Sequence, residues 1–90
     1  MPVAEAFEQW CERNPLRLWR RDNAVSRSGL VFHLATSGYR VTPATLLRWE
    51  RGEYSPPDRA MNALEAVTGI KDLRKQWERW QKARAAIARV

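Results

Sequence analysis

Residues 41–57, VTPATLLRWERGEYSPP, place a helix start, a helix end and a proline block close together in the chain. Thr42 is a favoured helix N-cap, and Pro43 suits the first helical position because an N–H there would have no partner within the helix. Gly52 readily adopts the left-handed conformation that ends many helices, and Pro56-Pro57 stops the helix from continuing. The segment therefore predicts one short helix with fixed ends.

Residues that begin or end helices recur along the whole chain. Asn14-Pro15 ends a first helix whose apolar residues Val3, Phe7, Trp10 and Cys11 lie on one face. No segment shows the alternating pattern of a strand. Helices are expected over 3–13, 16–22, 27–37, 43 to the stop at 52, 57–67 and 70–90. The sequence thus predicts an all-α domain of about five to six helices.

Length and breaker spacing also predict the organisation of the chain. Ninety residues make a single domain, 1–90. We expect an N-terminal helix within 1–14, a compact core of helices in 16–70 and a basic C-terminal helix in 71–90. No apolar run approaches the ~20 residues that a membrane span needs, and no signal-peptide pattern opens the chain.

The chain offers few residues for catalysis or for binding a metal. Cys11 is the only cysteine and His33 the only histidine. An internal disulfide is therefore excluded, and a tetrahedral Cys/His zinc site lacks its ligands. His33 lies in the apolar stretch GLVFHLA with no orienting carboxylate beside it, so a Ser-His-Asp arrangement is not indicated. We expect no enzyme activity, no metal and no cofactor.

The formal net charge of +6 is unevenly distributed. Residues 1–12 hold three Glu and no basic residue, whereas residues 71–90 hold seven basic residues against two acidic ones. Residues 13–27 hold five Arg against one Asp. Such basic segments favour a polyanionic partner, with nucleic acid as the first candidate, although charged runs also occur simply as solvated faces.

The stretch from Leu16 to Ile70 carries a more specific pattern. Its parts are LRLWRR, SRSGLVFHLATSGYRV, TPATLLRWERGEYSPP and ALEAVTGI, with RWERG followed by proline as the most specific. This stretch resembles the lambda-repressor/Cro family of helix-turn-helix DNA-binding domains, also called the xenobiotic-response-element type. The resemblance implies that SRSGLVFHLA forms the first of the two motif helices and TPATLLRWE the recognition helix.

The resemblance also implies roles for individual residues. Arg20 falls where the family places an arginine that pairs with a glutamate, here Glu50, and holds the LRLWRR helix against the recognition helix. Arg27 lies at the start of the first motif helix, SRSGLVFHLA, where family members contact a phosphate. Thr45 matches a position that contacts the DNA backbone, and Arg48 one that often reaches base edges.

Two departures from the family pattern concern the DNA-facing residues. The turn TSGYRV is longer than the compact family turn and adds Arg40 near the DNA backbone. Pro43, Ala44 and Leu47 replace the polar residues frequent in the family; such residues touch thymine methyl groups rather than form hydrogen bonds. Leu47 alternatively packs in the core. The full set that we assign to DNA is Arg27, Arg40, Thr42, Pro43, Ala44, Thr45, Leu47, Arg48 and Arg51.

The terminal segments lie outside the resemblance and allow two interpretations. Their apolar residues either pack against each other within one chain or form the surface of a homodimer. These residues are Phe7, Trp10, Leu73, Trp77, Trp80 and Ile87.

We therefore expect a double-stranded DNA-binding regulator, a small dimeric repressor, in the cytoplasm and on the nucleoid when bound. The alternative is the same fold used as a protein-interaction module, such as an antitoxin-like inhibitor or an adaptor to the transcription machinery.

Overall fold

The computed structural model describes residues 2–87, which form six α-helices and no strand. This arrangement confirms the predicted all-α class with about six helices. The helices are α1 (Val3–Glu12), α2 (Pro15–Asp22), α3 (Arg27–Thr36), α4 (Pro43–Glu50), α5 (Asp58–Thr68) and α6 (Leu73–Ile87).

Side-chain caps set the starts of three of these helices. The Asn14 side chain accepts hydrogen bonds from the backbone N–H groups of Leu16 and Arg17 at 2.9 and 3.1 Å, so Asn14-Pro15 both closes α1 and opens α2. Ser26 caps α3 and Thr42 caps α4 through bonds of 3.0 and 3.1 Å. Each cap satisfies an N–H that the helix itself leaves without a partner.

The turn between α3 and α4 is anchored at both ends. Gly38 has a φ of +95°, which lets the N–H of Tyr39 reach the Leu34 carbonyl at 2.9 Å and close the end of α3. Tyr39 and Val41 then pack their side chains against the core, while Arg40 between them is exposed. The longer turn thus carries one cation on the surface between two anchored residues.

A single core receives side chains from all six helices. Its buried apolar residues are Trp10, Cys11, Leu16, Leu30, Leu34, Leu46, Trp49, Ala60, Met61, Leu64, Leu73, Trp77 and Trp80. Burial of large apolar side chains supplies the main stabilising free energy of a domain of this size, at about 25 cal/mol per Å² of apolar surface.

The terminal helices are joined by a reciprocal tryptophan pair. The rings of Trp10 and Trp80 stack with centroids 4.0 Å apart and planes within 1°. Each indole N–H donates to the other residue's backbone carbonyl, at 2.6 Å from Trp10 and 2.7 Å from Trp80. Trp77 meets the edge of Trp80 at 5.4 Å. Both interpretations of these residues required apolar contacts, and the structure makes those contacts within one chain.

Apart from shifts of one residue at several helix ends, the structure differs from the sequence-based expectations at three places. Val3 was expected on the buried face of the first helix but is 56% exposed, because the helix begins there and extends past the core. The last helix begins at Leu73 rather than at 70 or 71, since Asp72 has a φ of +57° that no helix accommodates. Residues 88–90 of the expected C-terminal helix lie outside the described range. Leu47 is exposed, so its alternative core position is wrong.

No helix within residues 2–87 combines the length and the apolar character needed to cross a membrane.

Candidate nucleic-acid interface

Helix α4 has one buried side and one exposed side. Leu46, Trp49 and Glu50, spaced three and four residues apart, turn into the protein. The opposite side presents what we call the α4 stripe, formed by Ala44, Leu47, Arg48 and Arg51. Because these residues stand at i, i+3, i+4 and i+7, they form one continuous face along the helix.

The α4 stripe is apolar at its N-terminal half and cationic at its C-terminal half. Leu47 leaves 36% of its surface exposed beside Ala44, and Pro43 is exposed just before them. Arg48 makes no side-chain hydrogen bond or ion pair within residues 2–87, and neither does the exposed Arg40 in the preceding turn. Both guanidiniums therefore keep all their donors available for an external acceptor.

The first turn of α4 offers fewer free donors than a typical helix start. Pro43 has no N–H, and the N–H of Thr45 is bonded to the Thr42 hydroxyl at 3.1 Å. The two threonine hydroxyls also bond to each other, 3.0 Å apart. The N–H of Ala44 is thus the backbone donor of this turn available to an anion, together with one hydroxyl proton.

A buried carboxylate fixes the other end of α4. Glu50, only 1% exposed, accepts two bonds from Arg20 on α2, at 2.8 Å from Nε and 2.7 Å from Nη2. It accepts a third from Nε of Arg27 on α3 at 3.2 Å. Arg20 also donates to the Val25 carbonyl at 3.3 Å. These bonds tie three helices together, and the parallel pair from Arg20 fixes orientation as well as distance.

Arg27 therefore both binds Glu50 and faces solvent in this structure. Its side chain is about one-third exposed, so the guanidinium faces solvent while one of its N–H groups binds Glu50. Two guanidiniums around one carboxylate leave a net charge of +1 at the start of α3. Glu50 follows Leu47 by three residues and therefore lies next to it around the helix. The positive charge around Glu50 thus lies along the Leu47 side of the α4 stripe.

A cationic cleft adjoins Arg27 where α2 meets α3. It encloses about 660 Å³ and is lined by arginines that include Arg17, Arg20 and Arg21, with Glu12 at its edge. Arg21 is paired with Asp22 at 3.2 Å, but both are well exposed and such pairs contribute little. The cleft extends the positive surface from α3 to α2.

Arg51, the last member of the α4 stripe, points toward the terminal helices. Its guanidinium carbon lies 5.8 Å from the centre of the Phe7 ring. Arg84 of α6 lies 5.7 Å from the same ring and 5.4 Å from that of Trp10, and donates to the Gly52 carbonyl at 3.3 Å. Arg84 interrupts the three- and four-residue spacing of the apolar residues in the last helix. A cation at a position where an apolar residue is expected was the signal available in the sequence.

The structure places the predicted terminal-helix residues in one cluster. Trp10, Leu73, Trp77 and Trp80 are buried in the core, whereas Phe7 and Ile87 are partly buried against it. The side chains of Trp10, Trp77 and Trp80 therefore make their contacts within the chain and are not exposed on its surface.

The residues considered for catalysis show no catalytic arrangement in the described range. Burial raises the pKa of the Cys11 thiol above its ordinary value, with Arg51 acting in the opposite direction. Cys11 is 1% exposed, and His33 faces solvent on α3. Among residues 2–87 no group of three or more His, Cys, Asp or Glu side chains is placed to hold a metal ion.

Comparison of the chain with protein-family models, with curated proteins and with solved structures found no match.

Proposed function

We propose that the chain is a sequence-specific, double-stranded DNA-binding transcriptional regulator of the lambda-repressor/Cro type, a small repressor that acts as a dimer. In this proposal α3 and α4 form the helix-turn-helix and α4 is the recognition helix. The protein then works in the cytoplasm and on the nucleoid. The observation that carries the proposal is the α4 stripe, a solvent-facing helix side with an unpaired arginine.

The dimensions and chemistry of α4 suit the major groove. An α-helix with its side chains is about 10–12 Å across, and the major groove is about 12 Å wide, so a helix such as α4 fits within it. Arg48 has both terminal nitrogens free for O6 and N7 of a guanine, and Leu47 and Ala44 offer methyl groups to thymine. Direct readout then rests on one polar contact and a short apolar surface.

Phosphate contacts are assigned to residues around the stripe. Arg27 on one flank and Arg40 before the helix supply cations, while the Ala44 N–H and the Thr42–Thr45 hydroxyl pair supply the short-range donors at the helix start. Arg51 lies farther along the stripe and contributes its charge. Such contacts position the protein and carry most of the affinity, whereas base contacts carry the sequence preference.

The ion-paired end of α4 supports this assignment by fixing the helix in place. Glu50 is bonded to Arg20 and Arg27, so the recognition helix cannot rotate without breaking three charged hydrogen bonds. A rigidly held helix loses little conformational entropy on binding DNA.

The test is selection from a random duplex library, followed by binding measurements on an Arg48→Ala variant. The matched control is Arg59→Ala, which removes the same charge from an exposed site on α5. We expect Arg48→Ala to weaken the selected duplex by roughly 5- to 150-fold, the value of a lost arginine–guanine contact, and to relax the preference at that base. Arg59→Ala should have a smaller effect that is equal on all duplexes.

Equal behaviour of the two variants on selected and random duplexes would show that the positive surface attracts DNA only through charge. Absence of any selected sequence, together with binding that collapses as salt rises, would lead to the same conclusion.

A second candidate function is favoured by the apolar half of the stripe. Leu47, Ala44 and Pro43 are adjacent and exposed, and Phe32 on α3 is 66% exposed. These are features of a protein-binding face in an antitoxin-like inhibitor or an adaptor to the transcription machinery. Leu47→Glu separates the candidates: in an interaction module it abolishes partner binding, while Arg48→Ala has no effect on any DNA.

A further inference from the structure

The end of α4 rests on side chains from the two terminal helices. Gly52, which follows Arg51 at the end of α4, lies so close to the Trp10 ring that an added Cβ would overlap it. Arg84 of α6 donates a hydrogen bond to the Gly52 carbonyl at 3.3 Å. Helices α1 and α6, which lie outside the proposed helix-turn-helix, therefore contact the point where α4 ends.

One aromatic ring in this contact is shared by two cations. The guanidinium carbons of Arg51 and Arg84 lie 5.8 and 5.7 Å from the centre of the Phe7 ring. Both distances fall within the ~6 Å over which an aromatic ring attracts a guanidinium. Phe7 packs partly buried against the core, with its ring 5.5 Å from that of Trp10, so both cations face a ring that is itself held in place.

The two guanidiniums differ in what else they bind. Arg84 donates to the Gly52 carbonyl and also lies over the Trp10 ring at 5.4 Å. Arg51 is exposed and makes no side-chain hydrogen bond or ion pair within residues 2–87. A ring attracts the charge of a guanidinium without occupying the five N–H donors, which lie in the guanidinium plane. The Phe7 ring therefore restrains Arg51 and leaves its donors available to an external acceptor.

We propose that Phe7 is a positioning residue for Arg51, which it holds ready for a phosphate of bound DNA. Helix α1 then raises the affinity for DNA without touching the DNA. This inference rests on the proposed function and adds to it a residue from outside the helix-turn-helix. The N-terminal residues of a recognition helix face the bases, whereas Arg51 lies at the C-terminal end of α4, so its acceptor is a phosphate.

The gain in affinity comes from order that is already present in the free protein. A mobile arginine side chain loses rotamer freedom when it binds a phosphate, and a side chain that is already held loses less. Loss of the ring should therefore weaken DNA binding by about 3- to 10-fold. The effect should be equal on all duplex sequences, since phosphate contacts carry no sequence information.

A purely structural role for Phe7 leads to a different expectation. In that case loss of the ring weakens DNA binding by the same factor whether or not Arg51 is present. A double-mutant cycle separates the two roles, because it measures how far the effect of one side chain depends on the other.

The first test measures the affinity of the chain for the selected duplex in wild type, Phe7→Leu, Arg51→Ala and the double variant. We expect Phe7→Leu to weaken binding about 3- to 10-fold in wild type and to have no further effect once Arg51 is alanine. Phe7→Tyr keeps the ring and should bind as wild type does. Phe32→Leu is the matched control, because Phe32 is an exposed ring that no guanidinium faces within residues 2–87. Helical circular dichroism reports that each variant is folded.

The second test needs no DNA. Nitrogen relaxation of the Arg51 Nε–Hε group measures how strongly this side chain is ordered on the picosecond to nanosecond timescale. We expect Phe7→Leu to lower this order and Phe32→Leu to leave it unchanged. A general loss of packing would not single out the Arg51 side chain in this way.

Three results would overturn this proposal alone. One is an Arg51 side chain that is equally mobile in wild type and in Phe7→Leu. Another is DNA binding that Phe7→Leu leaves unchanged, and the third is equal weakening by Phe7→Leu with and without Arg51. A wild-type chain that binds no duplex would overturn the proposed function and this inference together, so the two failures are distinguishable.

Discussion

Gly52 and Gly69 share the same backbone conformation and differ in their surroundings, which makes them a controlled pair. Both have a φ of +73°, a region that side chains other than glycine enter at a cost. A Cβ added at Gly69 meets nothing within 4 Å. A Cβ added at Gly52 overlaps the Cη2 atom of Trp10 and comes within 3.3 Å of Trp80.

The magnitude of each alanine substitution follows from this difference. The left-handed conformation costs about 1–2 kcal/mol, and the stiffer unfolded chain returns about 0.4–1 kcal/mol, so Gly69→Ala should cost about 1 kcal/mol. Gly52→Ala adds the overlap with Trp10, and overpacking of this kind costs roughly 1–3 kcal/mol more. Trp10 has no room to yield, because it is stacked on Trp80 and bonded to it in both directions.

Urea and thermal unfolding, followed by helical circular dichroism, provide the assay. For a chain of this length each kcal/mol lowers the melting temperature by about 4–8 °C, so Gly52→Ala should fall at least twice as far as Gly69→Ala. In a Trp10→Phe background, which removes the overlapping atom and leaves the 3.3 Å contact with Trp80, the difference between the two alanine substitutions should shrink to well below its wild-type value. Equal destabilisation of both variants in the wild-type background would refute the reasoning.

Two further predictions concern buried ionisable groups. Glu50→Ala leaves Arg20 and Arg27 without their acceptor and should lower the free energy of unfolding by about 3–5 kcal/mol. The control Glu53→Ala, at an exposed site, should change it by no more than about 0.5 kcal/mol. Similar losses for the two variants in urea denaturation would contradict the role of the ion pair. Burial raises the pKa of Cys11, so the unfolded thiol ionises first and stability present below about pH 9 is lost as the pH rises further. Wild type should therefore lose stability relative to Cys11→Ala between pH 7.5 and pH 10, and parallel pH profiles would exclude this linkage.

The features that sequence predicted well are those set by neighbouring residues. The Thr42 cap, the Pro43 start and the Gly52 stop depend on contacts within a few positions, and the structure has α4 between them. The exposed and buried sides of α4 follow from helical periodicity in the same way. Even here Leu47 remained ambiguous, because periodicity alone does not fix the width of the buried face.

The features that sequence did not predict depend on residues far apart in the chain. Nothing in the local pattern indicates that Arg84 reaches the Gly52 carbonyl or that Trp10 and Trp80 exchange hydrogen bonds. The family resemblance suggested Arg20 for Glu50 but gave no sign that Arg27 binds the same carboxylate. Asp72 adopts a left-handed conformation, which moves the start of the last helix to the next residue. Aspartate tolerates this conformation, but nothing in the sequence indicates that it occurs here.

The tryptophan pair has a consequence for the order in which the molecule assembles. Trp10 and Trp80 are 70 residues apart, and closing a loop of that length costs about 4 kcal/mol of chain entropy. The turns and caps between α2 and α5 form over much shorter separations and are available earlier. We therefore expect the terminal helices to dock late, so that substitutions at their contacts change the rate of unfolding more than the rate of folding.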